Sequence, residues 1–270
     1  MSFLTLKIIG ILSMLFDHID SIFSITMPIA TLFDRIAVNN PSSEQMVYKI
    51  FDIIFDIIII IKPYIGRLAA PIFMFCIANG YMHTSNVKKY ISRIIIFALI
   101  SQIPYILFFR VGMEMDFKDI GLNILFTLAL GLIAIYAFDH LKHKNMALAI
   151  GAVVLIATLA FVIHAEGREG YILIIFMFYL LKDIPKGKRA LIWTLVIILS
   201  RLRLGVMAIK NPNFIRTYIL NVLGPYLGVL VTFLYNGEKG KANKFTQYLM
   251  YGFYPAHLLI LALLGNLIGS

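Results

Sequence analysis

The stretch ISRIIIFALISQIPYILFF, residues 91–109, contains a single charged residue, Arg93, near its start. A helix needs about 20 mostly apolar residues to cross the hydrocarbon core of a membrane, and roughly 17–25 are tolerated. The whole chain has this character, because 60% of its 270 residues are hydrophobic and only 14% are charged. A soluble domain has about 25% charged residues. The sequence therefore predicts an all-α, polytopic integral membrane bundle and excludes a soluble or disordered protein.

Nine stretches satisfy this length requirement and are predicted to span the membrane: 4–25, 64–82, 91–109, 120–138, 145–164, 169–182, 189–209, 215–235 and 247–267. They form one domain, residues 1–270, in which residues 26–63 are an external insertion. Within the insertion, residues 46–61 place Asp52 and Asp56 on one helical face among isoleucines. That pattern predicts an interfacial or re-entrant helix, or a tenth short span.

The loops between these stretches are alternately rich and poor in Lys and Arg, and the rich loops of membrane proteins stay in the cytoplasm. The net charge of +10 is therefore interpreted as a signal for orientation and for contact with lipid headgroups, and no nucleic-acid partner is expected. This pattern predicts a cell-membrane protein with a cytoplasmic N-terminus and an external C-terminus. The single cysteine, Cys76, excludes an internal disulfide and a cysteine-based metal cluster.

Polar residues form a stripe along the first predicted span. Ser13, Asp17, Asp20 and Ser21 follow i, i+4, i+7, i+8 spacing, and His18 projects one position round from them. Ionisable groups inside a membrane are costly and therefore mark candidate functional sites. An Asp beside a His can orient a general base that titrates near neutrality. The alternative is a hydrogen-bonded structural cluster that anchors this helix to its neighbours.

Two further spans carry candidate site residues. His257 follows Tyr254 by three residues and lies on nearly the same helical face, and Pro255 between them predicts a kink. A kinked helix with these side chains suits a cavity wall, or is simply a proline kink with a satisfied histidine. Arg67 cannot lose its charge and needs an anionic partner. Asp17 is one candidate partner, and a substrate carboxylate or an oxyanion is the other.

The second span leads into a basic segment. Asn79 and His83 share a helical face at its predicted cytoplasmic end, and Lys88, Lys89 and Arg93 follow. Such a rim fits a phosphorylated nucleotide cofactor, and it is also common in ordinary cytoplasmic loops. Other polar residues have simpler interpretations. Asn123 with Thr127, and Gln102 with Tyr105, are interpreted as helix-packing residues. Arg201 and Arg203 are interpreted as interfacial residues, and His164, Glu166 and Glu169 as a weak candidate metal set.

Motifs of several enzyme classes are absent. The sequence has no P-loop, dinucleotide-binding glycine motif, H-E-x-x-H or G-x-S-x-G, which argues against an ATP-driven machine, an intramembrane metalloprotease and a standard serine hydrolase. No inverted repeat is evident, which weakens the interpretation as a standard secondary transporter.

Five segments together resemble the TraX family, whose founding type is described as acetylating the N-terminus of conjugative pilin: LKIIGILSMLFDHID, GRLAAPIFMFCIANGYMHTSNVKKYISRIIIFALISQIPY, NILFTLALGLIAIYAFD, LYNGEKG and YGFYPAHLLIL. The similarity runs in order through nearly the whole chain except residues 38–62, which resemble an insertion. It implies an integral-membrane acyltransferase that takes an acetyl group from acetyl-CoA. The acceptor implied is an amine or hydroxyl, on a peptide N-terminus or a cell-surface glycan.

The resemblance also implies roles for particular residues. TraX proteins are in turn similar to the wider transmembrane acyltransferases, which typically place an essential histidine in an early helix. By that likeness His18 is the foremost catalytic candidate and Asp17 its companion, matching the DH of the family's first span. Arg67, His83 and His257 fall on the GRLA, HT and YPxH segments of the family. The chain departs from the family pattern at Asn79, where an acidic residue is expected, and at residues 164–170, which read HAEGREG in place of a His-Thr-Asp-Tyr-Gly type of segment.

These assignments lead to a mechanistic hypothesis. His18 is the general base and Asp17 fixes its tautomer, with His257 as a further catalytic candidate. Formation of an acetyl-histidine is the alternative chemistry. No metal is expected, and the remaining assignments are Asn123, Arg67 or Tyr254 as oxyanion donors and His83, Lys88, Lys89 and Arg93 as ligands of the CoA phosphates.

Two rival functions remain. One is a proton-coupled transporter or channel that uses the Asp17/His18 stripe. The other is a scaffold that assembles membrane subunits. The basic rim and the missing inverted repeat favour the enzyme.

Overall fold

The computed structural model describes residues 1–23, 31–32, 36, 44–112, 115–116, 119–241 and 243–269. In this part of the chain the secondary structure is helical, apart from turns and one isolated parallel bridge between Leu122 and Ala165. The helices are α1 (Phe3–Phe23), α2 (Glu44–Gly66), α3 (Ala69–His83), α4 (Val87–Gly112), α5 (Ile124–Leu141), α6 (Met146–Val162), α7 (Arg168–Leu180), α8 (Lys186–Ser200), α9 (Leu202–Lys210), a 3-10 turn (Pro212–Phe214), α10 (Ile215–Thr232) and α11 (Lys244–Gly269).

The predicted all-helical membrane class is confirmed, and the predicted count of nine spans is not. Five helical stretches in the described part are long and apolar enough to cross a membrane: Ile61–His83, Val87–Val111, Ile124–Leu141, Ile215–Thr232 and Phe245–Ile268. Helices α8 and α9 form a pair bent by 61°, which makes a sixth span if both halves cross together. Helices α6 and α7 have only 17 and 13 residues, and α1 is interrupted by charges.

Helix α3 lies at the centre of the bundle. It packs against α1, α5, α7 and α10, while α11 packs along α4. The close approach of α10 to α3 depends on Gly228, because a Cβ atom there would lie 2.9 Å from the ring of Pro71. The larger apolar cluster of the core joins α3, α4, α5, α7 and α11, so these helices form the rigid frame around the polar groups.

Asparagine side chains mark the starts of four helices. Asn86, Asn123, Asn145 and Asn243 each accept a hydrogen bond from a backbone amide two or three residues later, as an N-cap does. Asn123 does more, because its amide also donates to the carbonyl of Ala98 and to Gln102, both at 2.8 Å. It is fully buried, and it therefore ties the start of α5 to the middle of α4.

The boundary between the insertion and the second span differs from the prediction. Helix α2 continues through residues 46–61 to Gly66. A two-residue turn at Arg67 and Leu68 then interrupts the helix before α3 begins. Pro71 explains the position of the break, because a proline ring clashes with the carbonyl four residues earlier, here that of Arg67. Asp52 is exposed. The side chain of Asp56 and most of residues 26–43 lie outside the described residues.

Replacing Asn123 tests the tie between α4 and α5. Asn123→Ala removes an N-cap, worth about 1 kcal/mol. It also leaves buried hydrogen-bonding groups of α4 without a partner, which costs about 1–3 kcal/mol. We expect it to lower the free energy of unfolding by about 2–4 kcal/mol. Asn145→Ala removes an exposed cap and is the matched control, with a loss of about 1 kcal/mol. Thermal unfolding in detergent measures both, and equal losses would show that the contacts of Asn123 with α4 contribute nothing.

Candidate functional site

A cavity of about 480 Å³ lies between α1, the α2–α3 break, α4, α7 and α11. We call it the polar chamber. Ionisable side chains make up much of its wall, and a lipid-facing location would be costly for them. The ionisable and phenolic residues that line it are Asp17, His18, Asp20, Lys62, Tyr105, Glu166, Arg67, Tyr171, Arg201 and Tyr254.

The chamber histidine, His18, is held between two other helices. Its Nδ1 atom lies 2.8 Å from Nε2 of His257 on α11. Its ring also packs against Phe108 of α4, with ring centroids 4.9 Å apart. His257 is buried and does not line the chamber. The structure therefore places His257 behind His18, where it positions the ring, and does not place it among the chamber-lining groups.

The hydrogen bonds of His18 and His257 define which ring nitrogen of each histidine carries the proton. Nδ1 of His257 lies 2.8 Å from the carbonyl oxygen of Phe253, and a carbonyl oxygen only accepts. In the neutral pair, Nδ1 of His257 is therefore protonated and its Nε2 accepts from Nδ1 of His18. Nε2 of His18 is left with the lone pair. The partner that orients His18 is thus His257, which corrects the expectation that Asp17 fixes the tautomer.

Asp17 packs against the helix break between α2 and α3. Its carboxyl group packs directly on Gly66, where any Cβ atom would overlap it at 2.0 Å. Ser13, one turn earlier, donates a 2.5 Å hydrogen bond to the carbonyl of Ile65. Arg67 lies in the break itself and its charge attracts the Asp17 carboxylate. The stem of Arg67 in turn packs on Gly224 of α10. The small residues of the break thus bring the predicted pair together.

A second ion pair closes one side of the chamber. Nζ of Lys62 on α2 lies 2.6 Å from Oδ1 of Asp20 on α1. Both side chains are about one-fifth exposed, with fractions of 22% and 18%. The pair links α1 to α2, and removing one partner would leave the other charge partly buried and uncompensated.

Glu166 reaches the chamber from the short link between α6 and α7. Its backbone amide donates to the carbonyl of Leu122 at 2.9 Å, and its carbonyl accepts from Oγ1 of Thr127 at 2.6 Å. Its carboxyl group accepts from the Tyr105 hydroxyl and faces the amide of Ile124 at the start of α5. Burial raises the pKa of the Glu166 carboxyl to about 7, although both hydrogen bonds act in the opposite direction.

The link that carries Glu166 has an unusual backbone. His164, Gly167 and Arg168 have φ angles of 51°, 74° and 49°, in the left-handed region. Two of these residues are not glycines, for which this conformation is uncommon. Such strained positions persist where the surrounding contacts hold them, and they are frequent at functional sites.

A separate cavity of about 670 Å³ opens between α1, α3, α4 and α11 near the N-terminus. We call it the basic cavity. Lys7, His83, Arg93 and Lys239 line it, and no acidic residue does so among the described residues. The Nε atom of Arg93 is buried without a hydrogen-bond partner. An unpaired buried guanidinium atom in a wall of cations fits an anionic ligand.

A small, largely apolar cavity of about 100 Å³, the neck, lies between the basic cavity and the polar chamber and shares wall residues with both. Lys7, Tyr90 and Tyr251 line both the neck and the basic cavity. Met14, Phe73 and Tyr254 line both the neck and the chamber. On the opposite side, the chamber shares Tyr105, Glu166 and Arg201 among its lining residues with a fourth cavity of about 820 Å³, the loop cavity. The four cavities therefore adjoin in series through the bundle.

The structure divides the predicted site residues into three groups. Asp17, His18, Arg67 and Tyr254 meet at the chamber, and His83 and Arg93 meet at the basic cavity. The other four line neither cavity: His257, behind His18, and Asn123, Lys88 and Lys89. Both amide hydrogens of Asn123 are already donated, so it caps α5 and has none left for an oxyanion. Lys88 and Lys89 are exposed and line none of these cavities.

Sequence reasoning also missed several residues. Lys7 and Lys239 complete the basic cavity, although they lie in different predicted segments. Arg201 lines the chamber, where the sequence suggested an interfacial position. Glu166 was grouped with His164 and Glu169 as a weak candidate metal set. The described residues contain no group of three potential ligands placed to hold a metal ion.

The fold and the site define a multi-pass helical membrane protein with a polar chamber between two larger cavities. The TraX protein family model matches residues 2–265, so the chain belongs to the TraX family. The chain is also similar to the probable fimbrial assembly protein FimC, serogroup H1, of Dichelobacter nodosus, with 26% identity over 206 residues, covering 73% of this chain and 80% of that protein. No solved structure matches it. The family predicted from the sequence is confirmed.

The tautomer of His18 can be tested by ¹⁵N NMR of the protein in detergent, with histidine as the only labelled residue type. We expect Nδ1 of His18 to carry the proton and Nε2 to be unprotonated at neutral pH. His257→Leu removes the partner and should redistribute the proton between the two ring nitrogens. His140→Leu, at an exposed position, is the control. An Nε2-protonated His18 in the unmodified protein would contradict the arrangement.

Proposed function

We propose that this protein transfers an acetyl group from cytoplasmic acetyl-CoA to an amine or hydroxyl acceptor on the opposite side of the membrane, with His18 as general base. One observation carries this proposal: His18 borders a polar chamber that lies between a basic cavity and a cavity on the other side of the bundle. A donor and an acceptor that enter from opposite ends can meet there.

The basic cavity fits the phosphorylated end of the donor. Its volume of about 670 Å³ is within the range of about 300–1,000 Å³ that is typical of small-molecule sites. Lys7, His83, Arg93 and Lys239 supply positive charge, and Arg93 has a free buried donor. In the predicted orientation this cavity opens to the cytoplasm, where acetyl-CoA is made. These residues replace Lys88 and Lys89 as the proposed phosphate ligands.

The neck fits the thin arm that carries the thioester. It is lined mainly by apolar and aromatic side chains, and Tyr254 stands where it meets the chamber. A thioester that reaches this junction has its carbonyl beside the Tyr254 hydroxyl. Arg67 lies in the same chamber. Both groups donate hydrogen bonds and can stabilise the negative charge that develops on the carbonyl oxygen.

The proposed reaction needs one base. The neutral acceptor nitrogen or oxygen attacks the thioester carbon, and Nε2 of His18 takes the proton as the new bond forms. The negative charge on the carbonyl oxygen is stabilised by Tyr254 or Arg67. When the carbon–sulfur bond breaks, the imidazolium returns its proton to the sulfur and CoA leaves as a thiol. His257 stabilises the imidazolium by accepting from Nδ1, the part that a carboxylate plays in serine hydrolases.

Replacing the base tests the proposal directly. His18→Gln keeps a hydrogen-bonding group near His257 and removes the titratable nitrogen. We expect it to lower the rate of acetyl transfer by about 10²–10⁴-fold while leaving acetyl-CoA binding intact. Transfer is measured as CoA thiol release by purified protein supplied with a peptide acceptor. His140→Gln is the matched control. Normal transfer by a folded His18→Gln variant, or no acetyl-CoA consumption by the unmodified protein, contradicts the proposal and favours a carrier or scaffold.

The proposed donor site predicts which basic residues matter. Arg93→Gln removes a charged hydrogen-bond donor, worth about 1.5–3 kcal/mol. We expect KM for acetyl-CoA to rise roughly tenfold or more while kcat changes little. Lys88→Gln, on the same helix but outside the cavity, should leave KM unchanged. An equal effect of both substitutions would indicate a diffuse electrostatic contribution in place of a defined site.

A further inference from the structure

We infer that Glu166 binds an acceptor amine as its ammonium ion and removes one of its protons before the amine attacks the thioester. This inference rests on the proposed function and adds a second proton acceptor to the single base, His18, named there. It gives the carboxylate of the α6–α7 link a specific role in the reaction.

The position of Glu166 is the first reason. Six residues line both the loop cavity and the chamber, and they form the boundary that an acceptor crosses: Tyr105, Phe109, Glu166, Tyr171, Ile174 and Arg201. Glu166 is the only carboxylate among them. A cation that enters the chamber from the loop cavity therefore passes this carboxylate before it reaches His18.

The surroundings of Glu166 suit a cation with hydrogens to donate. Tyr105, Phe109 and Tyr171 supply aromatic rings at the same boundary, and aromatic faces attract ammonium groups. The rings of Tyr105 and Phe109 lie with centroids 4.6 Å apart. Arg201 is a cation at this boundary, and it can pair with a carboxylate elsewhere on the acceptor.

The rigidity of Glu166 is the second reason. Its amide and carbonyl are both hydrogen-bonded to the start of α5, through Leu122 and Thr127. The strained φ angles of His164 and Arg168 flank it on either side. A carboxylate needed only for packing does not require such a backbone, whereas a proton acceptor must be held in a fixed position.

The acceptor ammonium gives one proton to the Glu166 carboxylate and becomes a neutral amine, which then attacks the thioester. His18 takes a second proton from the nitrogen and passes it to the CoA sulfur. The first proton leaves Glu166 for the water of the loop cavity. An α-amine has a pKa of about 7.7–8.0, close enough to the value of about 7 for Glu166 that the transfer costs little.

The experiment uses purified full-length protein, acetyl-CoA and two acceptors. One is a short peptide with a free α-amine, and the other is the same peptide with an α-hydroxyl in place of that amine. At pH 7 only about one-tenth of the α-amine is neutral. We therefore expect Glu166→Gln, which keeps the size and the hydrogen bond to Tyr105, to lower kcat/KM for the amine peptide by about tenfold or more. Glu169→Gln, in the first turn of α7, is the matched control and should have no effect, because Glu169 lines the loop cavity and not the chamber.

The pH profile and a third acceptor separate this role from a structural one. The Glu166→Gln rate should keep rising up to the pKa of the amine, whereas the unmodified protein should level off near pH 7. The charged and titratable groups that face Glu166 are Asp17, Arg67, Tyr105, Tyr171, Arg201 and Tyr254; they are unchanged in the variant. A peptide ending in an aminooxy group, neutral at pH 7, should restore the variant to the rate of the unmodified protein.

The possible results distinguish a failure of the proposed function from a failure of the role assigned to Glu166. No acetyl-CoA consumption by the unmodified protein overturns the proposed function and this inference with it. If the unmodified protein is active, an unchanged amine rate in Glu166→Gln overturns the inference alone. The same follows if the hydroxyl peptide is the better acceptor, or if the variant loses activity equally with all three peptides, which makes Glu166 a structural residue.

Discussion

The hydrogen bond between His18 and His257 joins residues 239 positions apart and closes the bundle, since one lies on the first helix and the other on the last. A buried imidazole is stable only when its nitrogens have partners. The carbonyl of Phe253 satisfies His257, His257 satisfies one nitrogen of His18, and the chamber receives the other. The same contact that holds α1 against α11 therefore leaves one basic nitrogen beside a polar cavity. Stability and reactivity arise here from a single arrangement of three groups.

A backbone break supplies the other half of the chamber. Pro71 prevents the helix from continuing through Arg67, and Gly66 just before it leaves room for the carboxyl group of Asp17. The break thus places Arg67 where its charge attracts the carboxylate of Asp17 on α1. Gly224 then accepts the stem of Arg67 against α10. Local backbone rules thus explain why these two opposite charges both border the chamber.

The sequence predicts what depends on composition and short-range spacing. Low charge predicts the membrane bundle, and helical periodicity predicts that Asp17 and His18 face inward. It does not predict the partner of His18, because that contact depends on how helices at opposite ends of the chain pack. The place of Glu166 also escapes prediction, since left-handed φ angles at His164 and Arg168 are not encoded by glycines. Lys7, Arg93 and Lys239 come together only through the tertiary fold. Reasoning from a single loop therefore predicts Lys88 and Lys89 as the phosphate ligands.

The apolar neck has a consequence for the membrane as a whole. Cavities open towards both faces of the bundle, and a continuous file of water through them would let ions leak and dissipate the electrochemical gradient. The neck is small, at about 100 Å³, and its walls are mainly aliphatic and aromatic. Hydrophobic constrictions of this kind expel water and block ion conduction. Under the proposed function, the walls that admit a slender organic chain also keep the membrane electrically sealed while an acetyl group crosses it.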